Sequence, residues 1–344
     1  MKIFKYILFL ILIFVIGGSI YIATQEGHYK IDYEETINAP QQMVYNEVLD
    51  LKNWEYWLPW SFTKIEFKNI KNDTIDINKP YLQWESSVIG DGNLTTHEAL
   101  AYSSIVQQLK VENFLGESNG KMYWNFEAIA PQKTKVTWGI KGKKSFKDKL
   151  AELITGESTI EQLKPKLKEG LDNIEEVVLR KMNKYNITTE GVVQYGGGYY
   201  LYSSTSSKLS QISNKMRPIV QAIDAFMNKN EIEKIGNPLV VYNEYNTSNN
   251  SVIFSAGYFT STQITTPINS NILSGKIPTQ KALKTILKGN YKNLEKAWQK
   301  SYQYIEENRL EIDSTRHRFQ VYLSDPDKVV NPAKWNTHLY IPIK

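Results

Sequence analysis

The sequence lacks cysteine altogether and has only four histidines in 344 residues. Without thiols there can be no disulfide, zinc–thiolate site, iron–sulfur cluster or cysteine nucleophile. The histidines, His28, His97, His317 and His338, lie far apart in the sequence, which argues against a histidine-built metal site or a compact catalytic triad. We therefore predict no metal, no cofactor and no catalytic residue.

An excess of charge of one sign is also missing, because 41 Lys and Arg against 36 Asp and Glu leave a formal net charge of +5. Two of the positive charges, Lys2 and Lys5, precede a long apolar run. The remainder is nearly balanced, so no basic stripe is indicated and we predict no nucleic-acid partner. Tyrosine, in contrast, is abundant, with 22 residues, and tyrosine commonly lines wet, adaptable pockets.

The N-terminal apolar run, Tyr6–Ala23, contains 18 residues without a charge. An apolar helix of about 18–20 residues spans the hydrocarbon core of a bilayer. Because lysines precede the run and acidic residues follow it, the N-terminus is predicted in the cytoplasm and the body outside. A cleaved signal peptide is the alternative, but Tyr21 is bulky where a small residue is expected. We predict an uncleaved, single-pass anchor in the cytoplasmic membrane with an extracytoplasmic (periplasmic) body.

Residues 30–183 predict an antiparallel sheet followed by a long helix. Tyr29–Ile37 alternates as a first strand would, and Gln41–Leu49 has helical spacing after Pro40. Gly90–Asn93 is a hairpin turn signal. Further strand-like runs are Ser61–Ile70, Tyr81–Gly90, Leu94–Ala101, Ser104–Phe114, Gly120–Ala130 and Thr134–Lys141.

The helix that ends this segment carries apolar residues at regular helical spacing. Leu163, Leu167, Leu171, Ile174 and Val178 share one face. Upstream of them, Ser158 and Glu161 have the spacing of a capping box. Pro165 is expected to kink the helix or to mark a later start.

Three stretches of this segment, in order, resemble the START-related helix-grip superfamily (SRPBCC, polyketide cyclase/dehydrase). They are Ile37–Pro40 with the tryptophans Trp54–Trp60, Tyr81–Trp84 with Gly90–Gly92, and Thr134–Trp138 followed by Phe146–Ile154. The resemblance implies a curved sheet around a long helix, with a cavity for a lipid, polyketide or other apolar ligand between them. Trp57 and Trp84 are then candidate ligand-binding residues, although tryptophans could equally fill a core.

Residues 187–344 contain a faint internal repeat. Leu239–Tyr242 and Phe319–Tyr322 are strand-like, and each follows an apolar helical pattern, the first from Leu209 to Phe226 and the second from Leu294 to Ile305. Each half therefore predicts strand, helix, strand, strand. Two such halves can pair into one sheet with a groove between the helices.

This layout resembles the GyrI-like (gyrase-inhibitor-like) effector-binding domain, which is also attached to AraC-type and multidrug-responsive regulators. The likeness is carried by Ile235–Pro238 leading to Tyr242, by Gly289–Tyr291 with Leu294 and Trp298, and by Asp325–Pro326 leading to Leu339–Ile343. No helix-turn-helix is attached, and the apolar run stands where a DNA-binding domain might be.

Two positions depart from the pattern of that family. Members often carry a glutamate where Gln320 stands and an acidic residue where His338 stands. A buried carboxylate neutralises a desolvated organic cation, whereas glutamine can only hydrogen-bond. The departures therefore favour neutral or weakly polar aromatic ligands.

Tyrosines recur near the predicted groove of this second domain. Aromatic faces with few polar groups describe a small-molecule pocket. Plain packing is the alternative, because alternation along a strand turns only about half of the side chains inward. The predicted ligand-binding residues are Tyr200, Tyr242, Glu244, Tyr258, Tyr291, Trp298, Gln320, Tyr322 and Tyr340.

The sequence thus predicts an α+β protein with three parts: a transmembrane anchor and flank at residues 1–29, a helix-grip domain at 30–183, and a duplicated βαββ effector-binding domain at 187–344. The predicted function is non-enzymatic binding of small apolar or aromatic molecules by two tandem domains, held at the membrane through residues 6–23. Two alternatives stay open. One is a hydrolase or cyclase acting on an apolar cyclic substrate, and the other is an interaction scaffold for a membrane partner.

Overall fold

The computed structural model describes residues 2–72, 75–87, 89–113, 116–144, 146–156, 158–208, 211–246 and 251–344. Val88, Phe114 and Leu209, which the sequence analysis assigned to strands or a helix, lie outside the described residues. The chain divides into two compact units, Met1–Arg180 and Lys181–Lys344. Each unit combines helices with one antiparallel sheet, so the predicted α+β class is confirmed. The predicted domain boundaries stay a prediction.

The chain begins with an apolar helix, α1 (Lys2–Thr24). Its segment Ile3–Thr24 is long and apolar enough to cross a membrane. Large apolar side chains are exposed along most of its length. A signal sequence near the N-terminus has the same length and composition, so the helix fits both the anchor and the signal peptide considered above.

The first unit contains a seven-stranded antiparallel sheet in the spatial order β1-β7-β6-β5-β4-β3-β2. Five of the six pairings join strands that follow each other in the chain, and the sixth brings β1 against β7, with His28 opposite Lys143 and Ile37 opposite Thr134. The strands are β1 (His28–Ile37), β2 (Lys64–Asn72), β3 (Ile75–Glu85), β4 (Asp91–Leu100), β5 (Ser104–Asn113), β6 (Gly116–Ala130) and β7 (Lys133–Lys143).

Among the described residues, this unit has three further α-helices, α2 (Gln41–Leu49), α3 (Phe146–Thr155) and α4 (Thr159–Met182), and a short 3-10 helix at Leu51–Tyr56. The capping box at the start of α4 is confirmed. The Ser158 N–H donates to the Glu161 carboxylate at 2.9 Å, and the Glu161 N–H donates to the Ser158 hydroxyl at 3.2 Å. Pro165 lies inside α4, so the prediction of a later helix start is wrong. The reciprocal cap satisfies the first N–H groups upstream of the proline and allows the helix to begin there.

The core of the first unit is rich in tryptophan. Trp54, Trp57, Trp124 and Trp138 are each at most 1% exposed, and the Trp124 and Trp138 rings stack at a centroid distance of 4.5 Å. Helix α4 adds Leu167, Leu171, Ile174 and Val178, all buried as their spacing predicts.

Gly170 allows α4 to lie directly on this core. A Cβ at this position would be 2.4 Å from ring carbon Cζ3 of Trp138. Alanine in place of glycine gains about 1 kcal/mol in an exposed helix interior, but overpacking a core costs about 1–3 kcal/mol. We therefore expect Gly170→Ala to lower the free energy of unfolding, measured by urea unfolding with tryptophan fluorescence. A midpoint equal to or above that of the natural protein would contradict this expectation.

The second unit contains an eight-stranded antiparallel sheet in the order β12-β9-β11-β10-β14-β15-β13-β8. The helices are α5 (Ile212–Lys229) and α6 (Leu294–Glu307). The strands are β8 (Asn186–Tyr195), β9 (Gly198–Lys208), β10 (Ile235–Asn246), β11 (Ser251–Thr260), β12 (Leu273–Ile277), β13 (Gln280–Lys288), β14 (Phe319–Tyr322) and β15 (Asn336–Pro342).

Two strands precede each helix, so the prediction of a single strand before each helix is wrong. The additional strands β8 and β12 lie at the two edges, where β8 pairs with β13 and β12 pairs with β9. These partners come from the other half of the unit, a long-range pairing that local periodicity cannot reveal.

Alternation along the central strands gives this sheet two different faces. On one face, called the helix face, Val240, Tyr242 and Tyr322 pack with residues of α5 and α6, including Ile212 and Trp298. On the other, called the aromatic face, the cluster comprises Tyr200, Leu239, Val241, Phe259, Ile277, Ala282, Phe319 and Tyr340. The two faces decide which predicted residues can share a site.

Candidate functional site

A cavity of about 320 Å³ lies in the first unit. Most of its lining is apolar and aromatic, with four polar side chains: Ser118, Lys144, Asp148 and Gln162. The apolar residues are Trp54, Leu58, Trp60, Phe62, Leu82, Trp84, Ile89, Leu94, Leu109, Val111, Met122, Ile140 and Leu163, with Tyr29 beside them. An apolar cavity with a few polar groups is the common form of a small-molecule site.

The structure separates the two tryptophans that the sequence analysis selected in this unit. Trp84 lines the cavity, and its indole N–H donates to the Gly90 carbonyl at 3.0 Å. A Cβ on Gly92 would be 2.4 Å from Trp84 Cζ2, so the glycine makes room for the ring. Trp57 does not line the cavity, because it is buried against Trp54, with ring centroids 4.7 Å apart.

A second cavity, of about 480 Å³, opens on the helix face of the second unit. One face of α5 forms one wall, from Ser213 through Met216 and Val220 to Asp224, as i, i+3, i+4 spacing allows. The opposite wall consists of tyrosines. The lining is completed by Lys234 and Gly236–Pro238 at the start of β10, and by the connecting segment 324–328 after β14.

Three of the predicted ligand-binding tyrosines meet at this cavity: Tyr258, Tyr291 and Tyr322. The Tyr291 and Tyr322 rings meet edge to face with centroids 5.0 Å apart. Burial raises the pKa of both hydroxyls above the usual 10.0, so both stay neutral at physiological pH. Tyr258 is half-buried, with the Lys234 ammonium 5.5 Å from its ring centroid. The tyrosines therefore form an aromatic wall with uncharged hydroxyl groups.

The charged side chains around the mouth of this cavity are paired with one another. The pairs are Arg217–Asp327, Lys234–Asp224 and Lys328–Asp325. Exposed pairs of this kind contribute little to stability. They balance in formal charge, so these residues give the mouth no excess of one sign for an ionic ligand.

Gln320, Tyr242 and Trp298 lie in the core of the helix face and do not line the cavity. The Gln320 side chain is fully buried and donates from Nε2 to the Tyr322 hydroxyl, while its Oε1 has no hydrogen-bond partner among the described residues. Tyr242 meets Trp298 edge to face at 5.5 Å, with the Arg318 guanidinium over both rings. Gln320 is therefore connected to the cavity through its hydrogen bond to Tyr322, which lines the cavity.

Tyr200 and Tyr340 lie on the aromatic face, with the sheet between them and this cavity. Phe319 and Tyr340 stack at a centroid distance of 4.8 Å, and Tyr200 stacks on Tyr202 at 4.8 Å. Burial raises the pKa of Tyr200 and of Tyr340 to about 12. Glu244 is exposed and is absent from the lining of the helix-face cavity. The predicted residues of this domain thus divide between two faces and the core.

His338 lies on the aromatic face beside Tyr340, with Nδ1 3.5 Å from the hydroxyl. Burial lowers its pKa below the usual 6.5, Lys284 lowers it further and Glu190 opposes both. The folded state then binds fewer protons than the unfolded state below about pH 6.5, so the free energy of unfolding rises with pH in that window. We expect His338→Gln to flatten this rise, measured by urea unfolding at a series of pH values. An unchanged slope would show that the histidine is not responsible.

Sequence reasoning missed the α5 wall and the charged mouth. Met216 and Val220 belong to a helix pattern that the sequence analysis recognised, but spacing alone does not say what a helix face covers. Asp325 was noted only as part of a family resemblance, and Arg217 and Asp327 were not noted at all. Their pairing joins segments 110 residues apart, and a local sequence pattern cannot predict a contact over that distance.

Residues 209–344 match the family described as the GyrI-like small molecule binding domain. The second unit contains a GyrI-like domain. The helix-face cavity, with Tyr258, Tyr291 and Tyr322, lies within the matched residues of the GyrI-like domain. The resemblance of residues 30–183 to the SRPBCC superfamily stays a prediction. A comparison with curated proteins found no match.

Several solved structures are similar to this chain at low sequence identity. The match to the EcmrR–DNA complex has 14% sequence identity and a TM-score of 0.39, and it covers 58% of this chain and 78% of the EcmrR chain. The match to the EcmrR C-terminal domain has 19% sequence identity and a TM-score of 0.37, and it covers 46% of this chain and 98% of that domain's chain. The match to the protein TTHA0849 from Thermus thermophilus has 16% sequence identity and a TM-score of 0.33, and it covers 44% of this chain and 98% of TTHA0849.

The prediction that excluded nucleic acid as a partner is wrong. The finding against it is that one of the similar structures is a protein bound to DNA. The exclusion was based on the balanced charge of the whole chain and on the missing helix-turn-helix. A whole-chain sum does not describe how charge is distributed over a folded surface.

Proposed function

We propose that the protein is a membrane-anchored binding protein for small, neutral, apolar or aromatic molecules. The observation that carries the proposal is a GyrI-like small molecule binding domain with a cavity of about 480 Å³ and a wall of three tyrosines. Cavities of about 300–1,000 Å³ with aromatic walls and few polar groups suit drug-sized ligands.

The expected ligand is neutral because of the charges around it. The tyrosine hydroxyls are protonated at neutral pH, and Gln320 stands behind Tyr322 where a carboxylate could have compensated a cation. The carboxylates that the structure describes at the mouth, Asp224, Asp325 and Asp327, are already paired with cations. An organic cation that entered would therefore lose its hydration without compensation from them.

The first unit is proposed as a second binding domain with a helix-grip fold, and the second unit as two similar halves, each with two strands before its helix and two after it. Support for the first comes from the cavity of about 320 Å³ with Trp84 in its wall. Two binding domains in tandem on one apolar helix would hold both ligand sites near a bilayer, where apolar molecules concentrate. In this proposal α1 is an uncleaved anchor and the body lies outside the cytoplasmic membrane.

The proposal is tested by equilibrium dialysis of the full chain in lipid nanodiscs against a neutral aminocoumarin dye and against cationic ethidium. Empty nanodiscs correct for partition of the dyes into lipid. We expect saturable binding of the coumarin and weaker binding of ethidium, because the neutral dye loses less hydration in the cavity. Ethidium binding as tight as coumarin binding would contradict the proposed ligand class, and no saturable binding of either dye would contradict the function.

A further inference from the structure

Helix α3 has an amphipathic pattern whose apolar side faces outward. Phe146, Leu150, Leu153 and Ile154 follow i, i+4, i+7, i+8 spacing and so share one side of the helix. Their exposed fractions lie between 36% and 74%. A helix on a soluble surface normally turns this stripe toward the core, so the apolar side of α3 needs another partner.

The opposite side of α3 is acidic and faces the protein. Glu152 forms an ion pair with Lys144 at 2.8 Å, and Asp148 lines the cavity of the first unit. Both acidic side chains are half-buried, whereas the apolar ones are exposed. Lys147 and Lys149 follow the first apolar residue and flank the stripe on its two sides. Apolar residues bordered by lysines, with acidic residues turned away, form the pattern of helices that lie on anionic bilayers.

The position of α3 on the chain shows which bilayer it would meet. The Lys149 ammonium donates to the carbonyl oxygens of Ala23 at 3.3 Å and Gln25 at 2.7 Å, at the C-terminal end of α1. A cation is favourable there because the last carbonyls of a helix carry partial negative charge. The Lys144 N–H also donates to the Gly27 carbonyl at 2.9 Å. Helix α3 is thus fixed where the apolar helix ends.

The end of α1 has the character of a membrane–water boundary. The apolar run stops within one turn of Tyr21, which is 56% exposed, and tyrosine is favoured at the level of lipid headgroups. Lys149 contacts the end of α1 directly, and the exposed apolar residues of α3 follow or precede Lys149 by at most five residues. They therefore lie within about two helical turns of the end of α1. Ile160, at the start of α4, is also exposed.

We propose that α3 is an interfacial helix that inserts its apolar side, Phe146, Leu150, Leu153 and Ile154, into the same bilayer that α1 crosses. The partner is a lipid surface containing anionic headgroups, contacted by Lys147 beside the apolar stripe. The inference rests on the membrane anchoring proposed above. It would fix the first unit, and with it the cavity bordered by Asp148 and Lys144, against the membrane.

The test uses single cysteines, which the chain permits because it has none of its own. Leu153→Cys and Phe146→Cys place a fluorescent NBD label on the apolar side of α3. Leu100→Cys is the matched control, since Leu100 is 56% exposed at the opposite end of the same sheet. The full chain is reconstituted into vesicles of phosphatidylcholine and phosphatidylglycerol, with and without a shallow doxyl-labelled lipid.

We expect the labels at positions 153 and 146 to shift to the blue and to lose most of their fluorescence to the doxyl lipid, while the label at position 100 does neither. Labels at 153 and 146 that behave like the label at 100, in chains that resist carbonate extraction, would overturn the interfacial helix alone. Extraction of the chain by carbonate would overturn both the anchor and the interfacial helix. A blue shift of the label that grows with protein concentration, without quenching by the doxyl lipid, would indicate that a second copy of the chain covers the helix. That result would also overturn the proposal.

Discussion

Replacing Tyr258 with alanine is expected to weaken binding of the neutral coumarin by about tenfold, which corresponds to about 1.4 kcal/mol. Tyr258 lines the helix-face cavity and is half-buried, so its ring is available to a ligand without forming the core. Losing one aromatic wall removes both buried apolar area and ring–ring contact. Equilibrium dialysis with the full chain in nanodiscs gives the dissociation constant directly.

Tyr199→Ala is the matched control for this measurement. Tyr199 is also half-buried, and a lysine, Lys276, lies 5.1 Å from its ring centroid, as Lys234 lies over Tyr258. It does not line the helix-face cavity, so its removal should leave the dissociation constant unchanged. Equal effects of the two substitutions, or no effect of Tyr258→Ala, would place the coumarin elsewhere and count against the proposed site.

Replacing Trp138 with alanine is expected to lower the free energy of unfolding of the first unit by about 3–5 kcal/mol. Trp138 is fully buried, stacks on Trp124 at 4.5 Å and meets Trp57 edge to face at 5.8 Å. Because Gly170 lets α4 rest on the same ring, the cavity left by the substitution would separate the sheet from the helix. A domain has only about 5–15 kcal/mol of stability in total, so this loss is large.

Urea unfolding of the full chain in nanodiscs, followed by tryptophan fluorescence, measures this effect. Of the 8 tryptophans, only Trp298 and Trp335 lie outside the first unit, so the signal reports mainly on that unit. Trp60→Ala is the control, because Trp60 is only half-buried and touches the same Trp138 ring from the cavity side at 6.0 Å. A loss for Trp138→Ala no larger than for Trp60→Ala would show that the tryptophan core is not what holds α4 to the sheet.

Aromatic residues have more than one role in each unit. In the first unit, most tryptophans interlock with one another, and only some, such as Trp84 and Trp60, face a cavity. In the GyrI-like domain, tyrosines are similarly divided between the cavity, the core and the aromatic face. Aromatic composition therefore pointed to a ligand-binding domain, which the family match supports for the second unit, but it did not say which aromatic residues line the cavity.

Local sequence patterns determined most of the secondary structure. Helix α2 occupies Gln41–Leu49 as predicted, and β14 occupies Phe319–Tyr322 as predicted. The capping box at Ser158 and Glu161 was readable because its hydrogen bonds close within three residues. Patterns of this kind depend only on residues that are close neighbours in the chain, so they can be identified from the sequence alone.

Strand alternation already separated Gln320 and Tyr322 from Phe319 and Val321, because successive side chains point to opposite sides of a sheet. The sequence could not say which side the helices would cover. That choice depends on β10 pairing with β14 across about eighty residues and on α5 packing over the result. It explains why Tyr322 lines the cavity while Tyr340, predicted with it, does not.

What the sequence by itself determined is the apolar N-terminal helix, the order of strands and helices in the first unit and the GyrI-like character of the second half. What only the tertiary structure decided is which tyrosines share a cavity, which charges balance at its mouth, and that α3 turns its apolar side outward beside the end of α1. The physical reason is that periodicity is set by bonds between neighbouring residues. The partner of each face is set by burial and charge pairing among segments far apart in the chain.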